Sequence, residues 1–466
     1  MAAARVVVVG GGIAGLTTAY QLQKLARERS FPLELTLLER DAGVGGKVRS
    51  SREQGYLFEA GPNGFLDNEP ASLRLVDELD LRDRLLRSND AARNRFVYRG
   101  NKMHRLEMHP LKFMSSGLLS WGGKFRVAKE YFVPARQEEG DESVASFGRR
   151  RLGDEFTEVL LDSMVSGIFA ANIDKLSLHA AFPKMPAMES EYGGLFRALK
   201  AKKRESTSGP AGPMGAVLHT FRDGMAELPR ALEKHLARAI QTYCPADALV
   251  AADDALAIVA SGVQWKADAI VLATPAPDSA RVIEEYSGEA AAALSQIRFA
   301  GIHVIYQAYR PEQIKADING FGVLIPRNQN HRLLGTIWSS STFDGQAPAG
   351  TVLLRHMIGG DHDPAANDLS NEELLAIARA EAEPLFGIQG EPLLERYFRW
   401  NEGIPQYDLG HLDRVARARA ALPDGIFLTG NSVAGIGFNH CANHAETIAS
   451  EVFDYLTRGG HKGVAG

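Results

Sequence analysis

Four consecutive valines, Val6–Val9, are followed at once by Gly10, Gly11, Gly12 and Gly15. Beyond them apolar residues recur at helical spacing, at Leu16, Ala19, Tyr20, Leu22 and Leu25, and a second apolar run, Leu33–Leu38, stops at Glu39. A β-branched run, a glycine turn, a helical period and another strand predict the opening of a parallel sheet. Arg5 and the apolar run after it have the outline of a secretory leader. No cleavage site follows, however, and the helix runs on, so the segment is read as fold. Asn68 and Pro70 predict a helix start, with Leu73, Val76 and Leu79 on one face. Residues 90–205 show broken helical patterns with apolar clusters at Phe113-Met114, Leu118-Leu119, Trp121 and Phe125, interleaved with Lys112, Lys124, Arg126 and Lys129. Such a pattern fits either a helix packed in its own domain or a surface lying on anionic lipid. Arg197, Lys200, Lys202, Lys203 and Arg204 form a basic run, read as a solvated face, before a Pro/Gly/Ser-rich linker at 206–215. Phe221–Leu236 predicts a helix. From 301 to 399 strands alternate, as at Gly301–Ala308 and Thr351–Ile358, and Ile426–Thr429 predicts a late strand with a helix beginning near Asn443.

Composition narrows the class. With 466 residues the chain is long enough for roughly three domain-sized pieces. Its 45% hydrophobic and 23% charged residues exclude disorder as the main state. Two cysteines, Cys244 and Cys441, exclude a disulfide framework and fit a reducing compartment. A net charge of −5 argues against a nucleic-acid partner. No apolar run reaches the ~18 residues of a spanning helix.

The glycines carry the first candidate chemistry. In Gly10-x-Gly12-x-x-Gly15 the first glycine permits the tight turn and the second lets the backbone approach a pyrophosphate. The third brings the helix close to the strand, whose positive helix end then faces the phosphates. Glu39 lies 24 residues beyond Gly15, near the ~20 expected of a carboxylate on a ribose hydroxyl. This motif alone does not choose between FAD and NAD. Other chemistries find less. His440 and His444 stand at i, i+4 without an acidic partner and read as structural rather than as zinc ligands. Neither a Gly-x-Ser-x-Gly elbow nor a His-Glu-x-x-His pair is present.

The stretch Glu39-Arg40-Asp41-Ala42-Gly43-Val44-Gly45-Gly46-Lys47-Val48-Arg49-Ser50 resembles the extended FAD signature of the amine-oxidase and protoporphyrinogen-oxidase flavoproteins. It departs at Gly43 and Lys47, where that family commonly has arginine; Lys47 keeps the charge and loses the planar fork. Gly61-Pro62-Asn63-Gly64 resembles the family's loop along the isoalloxazine, and Asn63 is thereby a candidate polar group near flavin and substrate. Arg93-Asn94-Arg95-Phe96-Val97-Tyr98 resembles the segment that sets an arginine, here Arg95, at a substrate propionate. Ser166-Gly167-Ile168-Phe169-Ala170-Ala171-Asn172 resembles the loop beside the pyrroles. Asp268–Thr274 resembles a second strand of the dinucleotide domain. Trp400-x-x-x-Ile404-Pro405-Gln406-Tyr407-x-x-Gly410-His411 resembles a segment of the protoporphyrinogen and coproporphyrinogen oxidases. Gly430-Asn431-x-x-x-Gly435-Ile436-Gly437-Phe438-Asn439 resembles their last FAD loop, with His440 where aspartate is common.

The resemblance implies an α/β fold: a Rossmann-type FAD-binding domain assembled from residues 1–88, 216–300 and 400–466. Into it are inserted a helical, membrane-apposed domain at the substrate entrance, 89–215, and a mixed-sheet substrate domain, 301–399. The implied cofactor is noncovalent FAD, held by Gly10, Gly11, Gly12, Ile13, Ala14, Gly15, Glu39, Arg40, Gly46, Lys47, Gly61, Pro62, Asn63, Gly64, Trp400, Gly430, Ile436, Gly437 and Phe438. The implied substrate residues are Arg95, Asn63, Gly167, Phe169, Leu324, Leu334 and Met357, with no acid–base residue assigned. The implied reaction is six-electron oxidation of protoporphyrinogen IX to protoporphyrin IX in three flavin cycles, O2 taking the electrons to form hydrogen peroxide, in haem synthesis. Coproporphyrinogen III oxidation, amine or amino-acid oxidation, and a non-catalytic binding protein on the same fold are the alternatives. The implied partners are a porphyrinogen, O2, a membrane surface, a ferrochelatase hand-off and a second copy in a homodimer. The implied location is cytoplasmic, peripheral on the inner face of the membrane.

Overall fold

The computed structural model describes residues 3–107, 109–205, 216–252 and 255–459. The valine run becomes the strand Ala4–Val9, central in a five-stranded parallel sheet. Across that sheet lie Ile240–Gln241, Leu33–Leu38, Ala4–Val9, Ala269–Leu272 and Ile426–Leu428, so its strands come from distant stretches of chain. Buried on both faces, Val6, Val8, Ile270 and Val271 need no polar alternation, as expected of a covered parallel strand. One face is covered by the helix Ile13–Glu28, whose Leu16, Ala19 and Leu22 are fully buried, and by Phe438–Thr457 packed beside it. This last helix starts five residues before the expected Asn443, because Gly437 in extended conformation caps it directly.

A second sheet has seven strands in the order Leu394–Pro405, Phe299–Tyr309, Val352–Gly359, Leu333–Trp338, Gly322–Leu324, Arg95–Arg99 and Lys102–Arg105. All pairs are antiparallel except Gly322–Leu324 with Arg95–Arg99. The hairpin 95–105 joins it through Gly100 and Asn101, both at positive φ, as a two-residue turn between twisted strands requires. The helix expected over Phe221–Leu236 is shorter, Glu227–Leu236. Leu218–Phe221 instead pairs as a strand with Phe65–Leu66 and Leu85–Arg87, and Gly224 at φ +87° makes the turn between.

The stretch 110–205 is helical. Leu118 and Leu119, part of the apolar cluster pattern, are core, whereas Trp121, Phe125 and Phe132 are 73%, 62% and 77% exposed. Lys124 is buried, its amine donating to the Ser116 carbonyl at 2.6 Å. Arg197 and Lys200 lie over the Tyr131 ring. The side chains of Lys203 and Arg204 and the linker 206–215 lie outside the described residues. At the centre of this unit Arg151, wholly buried, donates to Glu130 at 2.7 Å and to Glu189 at 2.8 Å. Glu130 also accepts the N–H groups of Leu195 and Phe196, so one carboxylate fastens the start of the helix Leu195–Glu205.

Removing the cation leaves two buried carboxylates short of a partner, which typically costs about 3–5 kcal/mol. Arg151→Met is therefore expected to lower the unfolding free energy of the purified protein by that amount, read as a lower midpoint in urea unfolding. An unchanged midpoint would mean the cluster contributes nothing to stability.

Candidate active site

The first glycine station is built by close approach. At Gly15 a Cβ would lie 2.0 Å from the Gly10 carbonyl oxygen, so no larger residue lets the helix follow the strand so tightly. Gly11 N–H donates to Glu39 at 2.7 Å and Asp41 N–H donates to its other oxygen at 2.8 Å, which fixes the buried carboxylate at the end of the second strand. Gly45 N–H donates to the Gly11 carbonyl at 2.7 Å, and a Cβ on Gly46 would sit 3.1 Å from the Gly12 Cα. A Cβ on Gly430 would reach to 4.0 Å of Ala14. Residues from positions 10–15, 45–46 and 430 thus converge on one place.

That place suits a dinucleotide. A Cβ on Gly12 would meet nothing within 4 Å, so the turn opens on free space. Gly12 caps the helix that begins at Ile13 and Ala14 without a side-chain hydrogen bond, and Gly437 caps the helix beginning at Phe438 in the same way. Neither first turn contains an acidic residue, which leaves two positive helix ends ready for an anion. With the Glu39 carboxylate beside them, the residues present fit the phosphates and ribose of FAD.

Other expected cofactor residues lie less directly. Lys47 donates to the Gly403 carbonyl at 2.7 Å and stands over the Phe299 ring; burial lowers its pKa to about 8. Arg40 pairs with Asp278 at 3.1 Å on an exposed surface. Ile436 packs toward the helical unit. Cys441 is buried, and burial pushes its thiol up to about 12. Each ring nitrogen of His444 has a partner, Thr429 at 3.0 Å and Arg419 at 3.1 Å. Among the described residues no group of three His, Cys, Asp or Glu could hold a metal ion.

The loop Gly61-Pro62-Asn63-Gly64 leaves the strand Tyr56–Glu59, and its residues are half-buried. A Cβ on Gly61 would come within 2.0 Å of the Lys47 carbonyl, so the loop lies against the second glycine station. From the seven-stranded sheet, Tyr306 hydroxyl donates to the Glu59 carbonyl at 3.1 Å and accepts Glu59 N–H at 3.0 Å. Trp400 Nε1 donates to the Ala60 carbonyl at 2.7 Å and Arg355 Nη2 to the Gly61 carbonyl at 2.6 Å. The Glu59 carboxyl accepts from Ser50 at 2.6 Å and from Met225 N–H at 2.8 Å, yet its burial pushes its pKa up to about 7.

One face of the seven-stranded sheet faces this loop. Cross-strand register sets Arg355, Ile337, Gly322 and Arg95 in one row and Met357, Gly335, Leu324 and Val97 in the next. Leu334, Met357 and Trp400 share a cluster with Ala170, and a Cβ on Gly167 would strike Leu324 at 2.6 Å. Gly167, Leu324, Leu334 and Met357 are therefore brought together. Phe169 is not: it turns into the helical core against Phe182 and Tyr407. Arg95 lies over the Phe321 ring with its guanidinium accessible, and among the described residues no carboxylate pairs with it. Desolvation by the surrounding protein lowers its pKa.

Three contributors were not singled out in the sequence. Arg355 and Tyr306 lie within largely apolar strands, where a polar residue gives no warning of its partner. Tyr407, noticed only as part of a motif, accepts Gly435 N–H at 2.8 Å and donates to the Asn431 carbonyl, and so holds the last glycine loop.

Residues 13–452 match the family model described as flavin containing amine oxidoreductase. The chain is 30% identical to the coproporphyrinogen III oxidase of Bacillus subtilis (strain 168), over 97% of this chain and 98% of that one. It is 32% identical to the chloroplastic protoporphyrinogen oxidase of Oryza sativa subsp. japonica, over 98% and 89%. Among solved structures, one from Exiguobacterium sp. 255-15 named "Putative protoporphyrinogen oxidase" superposes with a TM-score of 0.84 at 26% identity, covering 97% of this chain and 99% of that one. Putrescine oxidase shares the fold, with a TM-score of 0.70 at 15% identity.

The Glu59 carboxyl yields a pH prediction. Its pKa rises from the ordinary 4.5 to about 7 on folding, so between those values the folded state holds a proton that the unfolded chain releases. Stability from this group therefore falls as pH rises from about 4.5 to about 7. Glu59→Gln removes that loss, and the difference in melting temperature, variant minus parent, is expected to grow in the variant's favour between pH 5 and pH 8. A difference independent of pH would contradict the assignment.

Proposed function

The chain belongs to the flavin containing amine oxidoreductase family, with FAD as its cofactor, and on that premise we propose that it oxidises a porphyrinogen to a porphyrin in haem biosynthesis. The observation that carries this reading is the apolar sheet face that meets the Gly61–Gly64 loop and ends in Arg95, an exposed arginine that pairs with no carboxylate among the described residues. A flat macrocycle with carboxylates on one edge needs those two features: an apolar slot, and a cation able to take a carboxylate bidentately. We read the substrate as protoporphyrinogen IX and O2 as the acceptor, with hydrogen peroxide formed. Coproporphyrinogen III is the second reading, favoured by the match to the Bacillus enzyme along almost its whole length. An amine substrate would prefer an aromatic cage or a carboxylate clamp, which this sheet face does not resemble.

FAD, when bound, would supply the electron sink for hydride transfer from a reduced carbon. The chain's own residues bind and orient. Leu324, Leu334 and Met357 form the apolar floor, the close approach of Gly167 to Leu324 limits its height, and Arg95 fixes the acid edge at the mouth. Gly10–Gly15, Glu39, Gly46 and the helix starts at Ile13 and Phe438 hold the nucleotide, while Trp400 steadies the loop carrying Asn63. Cys441, buried with a neutral thiol, supports noncovalent attachment. We assign residues 1–88, 216–300 and 400–466 to this FAD-binding unit, 89–215 to the entrance and 301–399 to the substrate sheet, except that the strands 95–99 and 102–105 and the end of 394–405 belong to that sheet.

We also assign the exposed Trp121, Phe125 and Phe132, with Lys129 over the Phe125 ring, to a lipid surface at the cytoplasmic side of the membrane. No helix among the described residues is long and apolar enough to cross a membrane.

The deciding experiment adds protoporphyrinogen IX or coproporphyrinogen III to the yellow protein in air and follows porphyrin fluorescence, oxygen uptake and peroxide. A flavin-loaded protein that oxidises neither would sink the reading, and the faster substrate selects between the two. Loss of a charge-assisted contact worth about 1.5–3 kcal/mol is expected to raise KM roughly 10- to 100-fold in Arg95→Ala, with bound FAD unchanged. An unaltered KM would remove Arg95 from the site. For the lipid surface, the triple variant Trp121→Ser, Phe125→Ser, Phe132→Ser is expected to stop co-sedimenting with anionic vesicles that carry down the parent, while keeping its FAD; equal sedimentation would refute the assignment.

A further inference from the structure

Arg355 is 5% exposed, in the middle of the seven-stranded sheet, and forms no ion pair with any carboxylate among the described residues. One nitrogen, Nη2, donates to the Gly61 carbonyl; Nε is buried without a partner. The guanidinium also lies 6.0 Å from the centre of the Tyr306 ring, which is itself hydrogen-bonded to Glu59. The Glu59 carboxylate acts on this cation, but burial favours the protonated acid, so around neutral pH it offsets the charge only partly. A buried cation without a full counter-charge is costly, and holding a backbone carbonyl needs no charge at all. The position of the charge is what distinguishes it. It is fixed from the sheet side against the first residue of the loop that runs beside the flavin, in the same cross-strand row as Arg95 but three strands away.

We propose that Arg355 is a positioning residue for the Gly61–Gly64 loop whose fixed positive charge raises the reduction potential of the bound flavin. Uptake of a hydride, two electrons with one proton, leaves the isoalloxazine one unit more negative than the oxidised ring. A preorganised cation held in a low-dielectric site favours the more negative form without reorganisation. Tuning the cofactor's electronics through a nearby charge leaves substrate binding to Arg95 and the apolar floor. The inference rests on the flavin site and not on the identity of the tetrapyrrole.

The test measures the midpoint potential of the bound flavin, without substrate, in the holoenzyme and in two variants. Arg355→Gln keeps a donor for the Gly61 carbonyl and discards the charge; its flavin is expected to be reduced at a distinctly more negative potential, with reduction by porphyrinogen slowed ~10-fold or more. Arg355→Lys keeps the charge, and its potential is expected to coincide with that of the parent. A parental potential in R355Q overturns the proposal, because a purely structural pin would behave in that way. If R355Q folds without retaining FAD, the equally neutral Arg355→Met decides: a more negative potential than that of the parent and of R355K supports the charge, and a parental one overturns it. Failure of the porphyrinogen reading would instead show as absence of porphyrin formation by the parent, with these potentials unaffected.

Discussion

The site depends on three consecutive backbone positions being held from a different sheet. Glu59, Ala60 and Gly61 belong to the strand and loop that lie against the glycine turns, yet their hydrogen-bond partners are Tyr306, Trp400 and Arg355. These donors come from three adjacent strands, 299–309, 394–405 and 352–359. A loop usually owes its conformation to its own turn residues. Here hydrogen bonds from the seven-stranded sheet set it, so the place of the Gly61–Gly64 loop is inherited from rigid strands.

The Gln406-Tyr407 pair applies the same logic from the other side. Gln406 donates to the Phe169 carbonyl and the Tyr407 carbonyl accepts Ser177 N–H, which ties the end of the long strand 394–405 to the helical unit. The Tyr407 hydroxyl meanwhile holds Asn431 and Gly435. Its ring lies 3.9 Å from that of His411, a buried imidazole whose pKa burial lowers to about 4 and which therefore stays neutral as a packing partner. The end of the long strand, the helical unit and the last glycine loop are thus joined through backbone groups by Gln406 and Tyr407.

How far the sequence reveals this depends on the range over which each interaction acts. The turn at Gly10–Gly15 and the carboxylate at Glu39 are legible because strand, turn, helix and strand are contiguous, and their spacing is the chemistry. The paired glycines at 45–46 are legible for the same reason. The strand 218–221 was missed because its partners, Phe65–Leu66 and Leu85–Arg87, lie more than a hundred residues away, while Phe221 and Leu228 also satisfy a helical period. Phe169 sits on the right loop but the wrong side of it. Ala170 adopts a left-handed conformation at the helix end, and the ring before it turns inward. Arg355 was invisible, since a single arginine in Val352–Gly359 looks like an outward-facing position until the register shows what that face covers.

Alternation along these strands separates the imidazoles of His303 and His356 from the face that meets the Gly61–Gly64 loop. Side chains two apart share a face, so Arg355 and Met357 point to the flavin loop, while His356 between them points away toward Phe386 and Thr336. His356 is fully buried, its pKa lowered to about 3 by desolvation, and it stays neutral at any ordinary pH. His303, flanked by Ile302 and Val304, likewise faces Asn367 on the far side and has its pKa lowered by burial. These two imidazoles are thereby spent in packing on the far side, and the face toward the loop carries Arg355, Met357 and Leu324, with His104 opposite Val97 on the edge strand. On the proposed reading the contribution of this face is geometry and a fixed field, which is what a reaction whose electrons leave through a bound cofactor requires of the protein.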